Sequence, residues 1–509
     1  MRTVGATSVA TKEGRPGLLS NSGEMGSRLT SLLHAAFLAV ILLAPLPLAS
    51  NREWSWTLCA LLIGGIAATW ALIGILGVGA TSVATGAAGK GRDLRRSYKN
   101  TQIIQALLFL AVIAWALVQA SPWAPPAWSH PLWQLSTEVL HGDPSAALGR
   151  ISLAADDTYT AAMRLVCYGL VFFLAFRWGR DEHLARRTLK AIVLAALAYA
   201  VYGLGKYWSG SETLFWFESA GYANSVHGTF VNRNHFATYI GLALVCALGL
   251  FYHYVALQGG APAVEMPQGG RIPRGAKVTT TTDRLEQFAL KAWKPLLAVL
   301  VLTTALVLTH SRGGFLSTAA GALALLISLH YKRKIRSRGS QAVIVAAAAI
   351  AAIAFWLTSE VLLSRLDTQG LSDNLRFSAY ELITESSRDN PVLGFGYGTF
   401  ADSFRLYRSD EITGYLDRAH NTYLENIFEL GWPAALLLFG LIGSCAVVCI
   451  RGLRERGKDW VYPAIGVAAT TLAGIHAYFD FSLQMPAVAM TYAAIMGVAC
   501  AQSYSSIEP

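Results

Sequence analysis

Twelve stretches of this chain are long and apolar enough to cross a bilayer, near residues 29–49, 55–79, 101–121, 158–177, 189–208, 236–257, 295–312, 314–330, 341–358, 422–450, 461–482 and 485–503. Each span takes about 20 predominantly apolar residues, so about half of the 509 residues are committed to spans. No charge-rich segment between them is long enough for an independent soluble domain. Only 14% of the residues are charged, where a water-soluble chain carries about a quarter. The pattern predicts an all-α, polytopic membrane protein and excludes a soluble multidomain enzyme.

The basic residues give the orientation. Lys and Arg bias loops toward the cytoplasm, and 29 of the 41 fall in the N-terminal tail and in 80–100, 177–190, 258–294, 331–338 and 451–458. These are alternate loops, as twelve spans with both ends in the cytoplasm require. Residues 1–28 are polar, carry Arg2, Lys12, Arg15 and Arg28, and lack a short apolar region before a cleavage site. They read as a disordered cytoplasmic tail, not a secretory signal. Residues 504–509 are the cytoplasmic C-terminus, and 29–503 the membrane domain. The net charge of +10 is then mostly an insertion signal, aided by attraction to anionic headgroups; it does not point to nucleic acid. The six cysteines lie inside apolar stretches without a Cys-x-x-Cys pair or a His/Cys cluster at zinc spacing, and read as small core residues.

Two outward loops are long: 122–157, rich in Trp and Pro, and 359–421, which carries six arginines against ten acids. A loop as long as the second, between spans, is usually functional. The remaining twelve basic residues run against the orientation bias, and two sit where an incidental explanation is weakest. Arg233 lies in Asn232-Arg233-Asn234-His235, four polar residues at the outer entrance of the sixth span; an interfacial cap with Arg233 snorkelling to headgroups is the plainer alternative. Arg312 lies in His310-Ser311-Arg312-Gly313-Gly314, where the glycine pair permits a tight return into the eighth span. A third group, His420-Asn421-Thr422-Tyr423-Leu424-Glu425, stands where the large loop enters the tenth span, and a histidine can act as base or acid near neutral pH. His476 and Asp480, four apart and so on one helix face, read as a structural hydrogen-bonded pair at the outer end of the eleventh span.

All four groups fall at the outer leaflet. Two guanidiniums and a histidine in one leaflet suggest a site for a phosphate-bearing lipid, since arginine binds phosphate oxygens bidentately and stays charged. No Asp-x-Asp triplet is available to hold a divalent metal against a sugar nucleotide, so no metal and no cofactor are expected. Gly394, Gly396 and Gly398 in Asn390–Phe400 do not form a phosphate-loop pattern and read as a turn that folds the outer loop back over the site.

Phe230-Val231-Asn232-Arg233-Asn234-His235, Ser311-Arg312-Gly313, the glycine segment and His420-Asn421-Thr422-Tyr423-Leu424 followed by Glu429-Leu430-Gly431, in this order and spacing, resemble the O-antigen ligase and polymerase superfamily over roughly residues 200–450. The resemblance implies an inner-membrane glycosyltransferase of the GT-C class with its active site facing the periplasm and a large periplasmic loop at 359–421. The donor would be an undecaprenyl-diphosphate-linked glycan, the acceptor a glycan or the lipid A-core, and a flippase and a chain-length regulator would be companion proteins. Carried over residue by residue, it gives His420 as base on the acceptor hydroxyl and Arg233 and Arg312 as diphosphate ligands. Asn232, Asn234, His235, His310, Arg376, Asn421, Tyr423, Glu425, His476 and Asp480 are further candidates for substrate contact, with Arg405, Arg408 and Arg418 as loop arginines of the same rank. The Asn232–His235 entrance departs from the Asn-Pro type of the ligases and is more similar to exopolysaccharide polymerases, with O-antigen ligase as the alternative. A transporter or flippase fits the composition, but such folds show similar halves, and these halves do not match.

Overall fold

The computed structural model describes residues 17–75, 90–141, 149–210, 213–214, 217–218, 224–258, 281–333, 378–408 and 416–504. In chain order the helices are α1 (Gly17–Leu43), α2 (Glu53–Ile75), α3 (Lys90–Ala120), α4 (Pro131–His141), α5 (Ala155–Trp178), α6 (Glu182–Ser209), α7 (Arg233–Gln258), α8 (Thr281–Leu308) and α9 (Arg312–Arg333). After α10 (378–386) come α11 (Phe400–Ser403), α12 (Thr422–Leu430), α13 (Trp432–Glu455), α14 (Val461–Phe479) and α15 (Pro486–Tyr504). A two-residue antiparallel hairpin, β1 (Thr213–Leu214) and β2 (Phe217–Glu218), interrupts the otherwise helical chain.

The protein is a multi-pass membrane protein. Among the described residues eight helices are long and apolar enough to cross a membrane, and Arg28–Leu43 and Trp293–Leu308 are shorter apolar helices. α14 is not one of the eight, and its surroundings explain why. It packs against α9, α15, α7 and α13, so protein takes the place of lipid along most of its length and Thr470, Thr471 and His476 are tolerated. The predicted stretch at 341–358 lies outside the described residues.

Three expectations are corrected. Residues 17–28, read as disordered, are helical and form the start of α1, whose apolar stretch begins at Arg28. The single stretch at 422–450 is two helices, because Gly431 at φ +75 ends α12 and Pro433 can enter only the first turn of α13. Gly313 and Gly314 do not make the return between α8 and α9; His310 does, at φ +52, and both glycines lie inside α9.

What Gly314 supplies, together with Gly321 further along α9, is close approach. A Cβ on Gly314 would meet the Ala237 Cβ at 2.4 Å, and one on Gly321 would meet the Ala468 carbonyl oxygen at 2.9 Å. α9 is thereby clasped between α7 and α14, in the manner of small-residue contacts that let membrane helices pack backbone to backbone. α7 and α15 form the centre, with 78% and 89% of their apolar spanning residues buried, while α2 at 17% faces outward.

The glycine segment does turn. Gly394, Gly396 and Gly398 all have positive φ, and the turn segment they form clamps the α12–α13 junction: Phe395 N donates to Phe428 O and Gly396 N to Glu429 O. Gln119 bridges the same place, donating to Leu393 O at 2.6 Å and Glu429 O at 2.9 Å and accepting from Tyr397 N. A Cβ on Gly394, at φ +68, would sit 2.3 Å from Glu429 O. Gly394→Ala is therefore expected to cost about 2–4 kcal/mol through strain and forced displacement. Gly440→Ala, with nothing within 4 Å of its Cβ, should be neutral or stabilising; thermal unfolding of the two variants in detergent checks both.

Candidate functional site

The site is built around one carboxylate. Asp480 follows the last residue of α14 in an extended conformation and is 1% exposed. Burying a charge is costly unless donors hold it, and donors reach Asp480 from three parts of the chain. Asn234 Nδ2, in the first turn of α7, donates to Oδ2 at 2.7 Å. His420 Nδ1, just before α12, lies 3.2 Å from Oδ1, and the backbone N–H of Phe481 donates to the same oxygen at 2.9 Å. His235 Nε2 stands 3.9 Å away. Burial works to raise the Asp480 pKa, but the His420 hydrogen bond and the charges of His235, His420 and His476 outweigh it and hold the carboxyl well below the usual carboxylate range.

Local chain geometry puts each partner in place. Asn232 Oδ1 accepts from Asn234 N at 2.7 Å, an Asx turn that starts α7 and aims the Asn234 side chain. Asn421 caps α12, its Oδ1 accepting from Tyr423 N and Leu424 N. His420 sits at φ +50, a strained conformation for a non-glycine residue. Its surroundings fix it: Tyr380 OH donates to its carbonyl at 2.8 Å, and its ring packs edge-on to Phe481 at 5.0 Å. Thr422 Oγ1 donates to Asp480 O, tying α12 to the end of α14.

Several candidate side chains are engaged within the protein. Glu425 is fully buried, pairs with Arg418 at 3.0 Å and accepts from Ala419 N. Tyr423 OH donates to Gly474 O at 2.8 Å. Together with Asn421 these residues form the frame that holds His420. Burial works against the Arg418 charge, but Glu425 and Glu429 more than compensate and raise its pKa.

The expectation for His476 and Asp480 is corrected. They are not a side-chain pair on one helix face, because α14 ends at Phe479; the contact between them is Asp480 N to His476 O. The His476 ring is 1% exposed and both its nitrogens are without a hydrogen-bond partner. A Cβ on Gly313 would lie 3.9 Å from His476 Nε2, so the start of α9, with Arg312, abuts this histidine. Arg312 begins α9, Ser311 Oγ accepts from Gly314 N, and His310 occupies the preceding turn. The four sequence groups thus meet at one end of the bundle. Arg233 is the first residue of α7, one position before Asn234. Arg405 pairs with Asp402 at 3.4 Å, and Arg376 lies outside the described residues.

Tyr380, Phe481 and Gln119 are contributors that sequence reasoning missed. Gln119 had a signal, a lone amide at the end of an apolar span; Phe481 had none.

At the opposite ends of the helices, Glu182, His253 and Asp459 lie within 4.8 Å of one another, a spacing that could hold a metal ion. Arg186 enters the same cluster, with Nη2 bonded to Glu182 and 3.2 Å from His253 Nε2. The guanidinium takes the place a cation would need.

Glu429 on α12, one residue short of Leu430 and before the span that begins at Trp432, is 2% exposed and accepts from Phe400 N at 3.0 Å. Burial, and next the charge of Glu425, push its pKa up to about 8. An unfolded glutamate titrates near 4.3, so between about pH 4.3 and about 8 the folded state binds the extra proton and stability falls as pH rises. Glu429→Gln keeps a neutral side chain at all these values. Its melting temperature should therefore decline less than wild type's between pH 6 and pH 8, measured by thermal unfolding in detergent.

A family model described as O-antigen ligase, Wzy_C, matches residues 297–439. The match covers less than half of the chain; it takes in Arg312, the glycine segment and His420, and leaves out Asn234, His235 and Asp480. It supports the O-antigen ligase and polymerase superfamily. No curated protein matches the chain.

Proposed function

Because residues 297–439 carry an O-antigen ligase domain, we propose that this protein is an integral inner-membrane glycosyltransferase of the GT-C class that works on the periplasmic side. It transfers an undecaprenyl-diphosphate-linked oligosaccharide to a sugar hydroxyl. The contact that carries the reading is His420 Nδ1 to Asp480 Oδ1, 3.2 Å. An ionised carboxylate can only accept, so Nδ1 carries a proton, and in the neutral imidazole Nε2 keeps its lone pair. His420 is 27% exposed in its side chain against 5% for His235, which leaves His420 the histidine that an incoming hydroxyl can reach.

In the proposed step His420 Nε2 takes the proton from the acceptor hydroxyl, whose oxygen forms a bond to the anomeric carbon of the donor. The bond from that carbon to the diphosphate oxygen breaks, and undecaprenyl diphosphate leaves with the electron pair. Arg233 and Arg312 stabilise the charge that develops on it. Asp480 stabilises the imidazolium until the proton is released.

Polymerase is the first reading, supported by the Asn232–His235 entrance. Ligase is the alternative, supported by the description of the matched family. Deletion of the gene in the native host, complemented by wild type or variants, separates them. A polymerase leaves single lipid-linked repeat units accumulating and no long polymer; a ligase leaves long polymer on undecaprenyl diphosphate that never reaches lipid A.

His420→Ala should lower turnover about 10²–10⁴-fold, the usual contribution of a positioned base, and should also lower the melting temperature, because it takes one donor from the buried Asp480 carboxylate. Asp480→Asn should lower kcat more than it raises KM, because its amide no longer dictates the His420 tautomer. Normal glycan restored by His420→Ala overturns the assignment.

A further inference from the structure

The chain that leaves α3 is rich in tryptophan, carries no Lys or Arg through His141, and ends in a helix that turns an apolar face away from the protein. Leu132, Leu135 and Val139 recur at three- and four-residue spacing and so share one face of α4. Trp133 and Thr137 lie on the other side, where the Trp133 indole donates to Ser152 O at 3.2 Å and seats that side on the chain. The apolar face is left open: Leu135 is 54% exposed and Val139 75%. Gln134 and Glu138, both exposed, flank it. A single exposed leucine is ordinary, but a periodic apolar stripe on a helix of eleven residues, too short to be stable alone, needs a cover.

Two observations set the height of this face. α3 ends at Ala120 and exposes Leu107, Leu110 and Leu117 along its span, so its outer surface faces lipid. Trp128, just before α4, packs against Trp115 of that span with ring centres 6.2 Å apart, and Trp115 lies about 7 Å short of the α3 end at about 1.5 Å per residue. The chain after α3 thus doubles back to the level of the span instead of rising into water. The exposed tryptophans agree. Trp54 in the first turn of α2, Trp208 in the last turn of α6 and Trp432 at the start of α13 stand at this end of the bundle, as in the belts where indoles sit at headgroup level. Trp123, 91% exposed, and Trp128 extend the belt to the foot of α4. Through Trp128 the apolar face of α4 continues the lipid-facing surface of α3.

We infer that α4 is an interfacial anchor: its Leu132–Leu135–Val139 face, with the indoles of Trp123 and Trp128, is covered by the lipid of the leaflet at the Asp480 end, at the boundary between headgroups and acyl chains. With no Lys or Arg on the helix, apolar burial holds it there and attraction to anionic headgroups does not. The anchor bears on the frame of the candidate site. His130 N donates to Arg150 O, and Leu153 N to Phe395 O in the glycine segment, while the His130 ring stands 6.0 Å from the Phe395 ring. The lipid surface thereby sets the height of the segment that clamps Glu429. The inference holds whether or not the glycosyl-transfer reading does.

The full chain in phosphatidylcholine nanodiscs tests it. The native cysteines are all buried, so a bimane label can be attached at Leu135→Cys, at Val139→Cys and, on the polar flank, at Glu138→Cys, with labelled wild type as background. A doxyl group carried near the phosphatidylcholine headgroup quenches bimane that lies in lipid, and iodide quenches bimane that lies in water. An interfacial helix sinks its apolar face about 5–10 Å, so the ratio of doxyl to iodide quenching should be at least about twofold higher at positions 135 and 139 than at 138. Either position decides the test if the other variant does not fold. A ratio no higher than that at 138 puts the stripe in water and overturns the inference. So does protection from both quenchers, which would mean that a second copy or another segment of the chain covers α4.

Discussion

A carboxylate buried at the end of a membrane helix neutralises itself unless several donors meet it, and Asp480 is met by donors from α7, from the segment before α12 and from its own chain. Each donor comes from an element that could otherwise move independently. The Asp480 contacts therefore fix the relative heights of α7, α12 and α14, and the Thr422 hydroxyl on the Asp480 carbonyl adds a second tie. Phe481 completes the assembly by placing its ring between His235, at 4.6 Å, and His420, at 5.0 Å. The dry, aromatic surroundings strengthen the electrostatic hold on the carboxylate.

The far end of α12 is fixed by different means. There the glycine segment, Gln119 and the N–H of Phe400 gather around Glu429. A nine-residue helix is too short to be stable alone, so α12 depends on both anchors. His420 inherits its position from the whole arrangement: Asn421 starts the helix, Glu425 draws in Arg418 and Ala419, and Tyr380 holds the His420 carbonyl. The strained φ of His420 is affordable only because these contacts over-determine it.

Most of the membrane architecture was legible in the sequence, because apolar length is a local property that the bilayer enforces. The break at Gly431 was not, since hydropathy does not register a 75° φ; the Gly431-Trp432-Pro433 run carried the information in its turn chemistry instead. The convergence of the four polar groups at one end of the bundle was legible from span counting. Their connection was not. His476 and Asp480 were read at helical spacing, and Asp480 lies outside the helix, where its carboxylate reaches Asn234 and His420, far away in sequence. No spacing rule links residues 234, 420 and 480; the close packing of α7, α9 and α14 through Gly314 and Gly321 brings the first to the last, and Thr422 ties the start of α12 to Asp480.

The division of the site between matched and unmatched sequence has a chemical consequence. Residues 297–439 carry Arg312 and His420, whereas Asn234 and Asp480 lie in flanking spans. An imidazole left to water samples both tautomers, and only the one protonated at Nδ1 presents a basic Nε2 outward. The matched stretch thus supplies a histidine, and the last spans supply the carboxylate that decides which of its nitrogens is basic. Asn234 satisfies the other Asp480 oxygen, so the carboxylate cannot rotate away from His420 without breaking a 2.7 Å hydrogen bond. Orientation of the proposed base is therefore a property of the whole bundle, and the portion of the chain that the family match covers is not sufficient to build it.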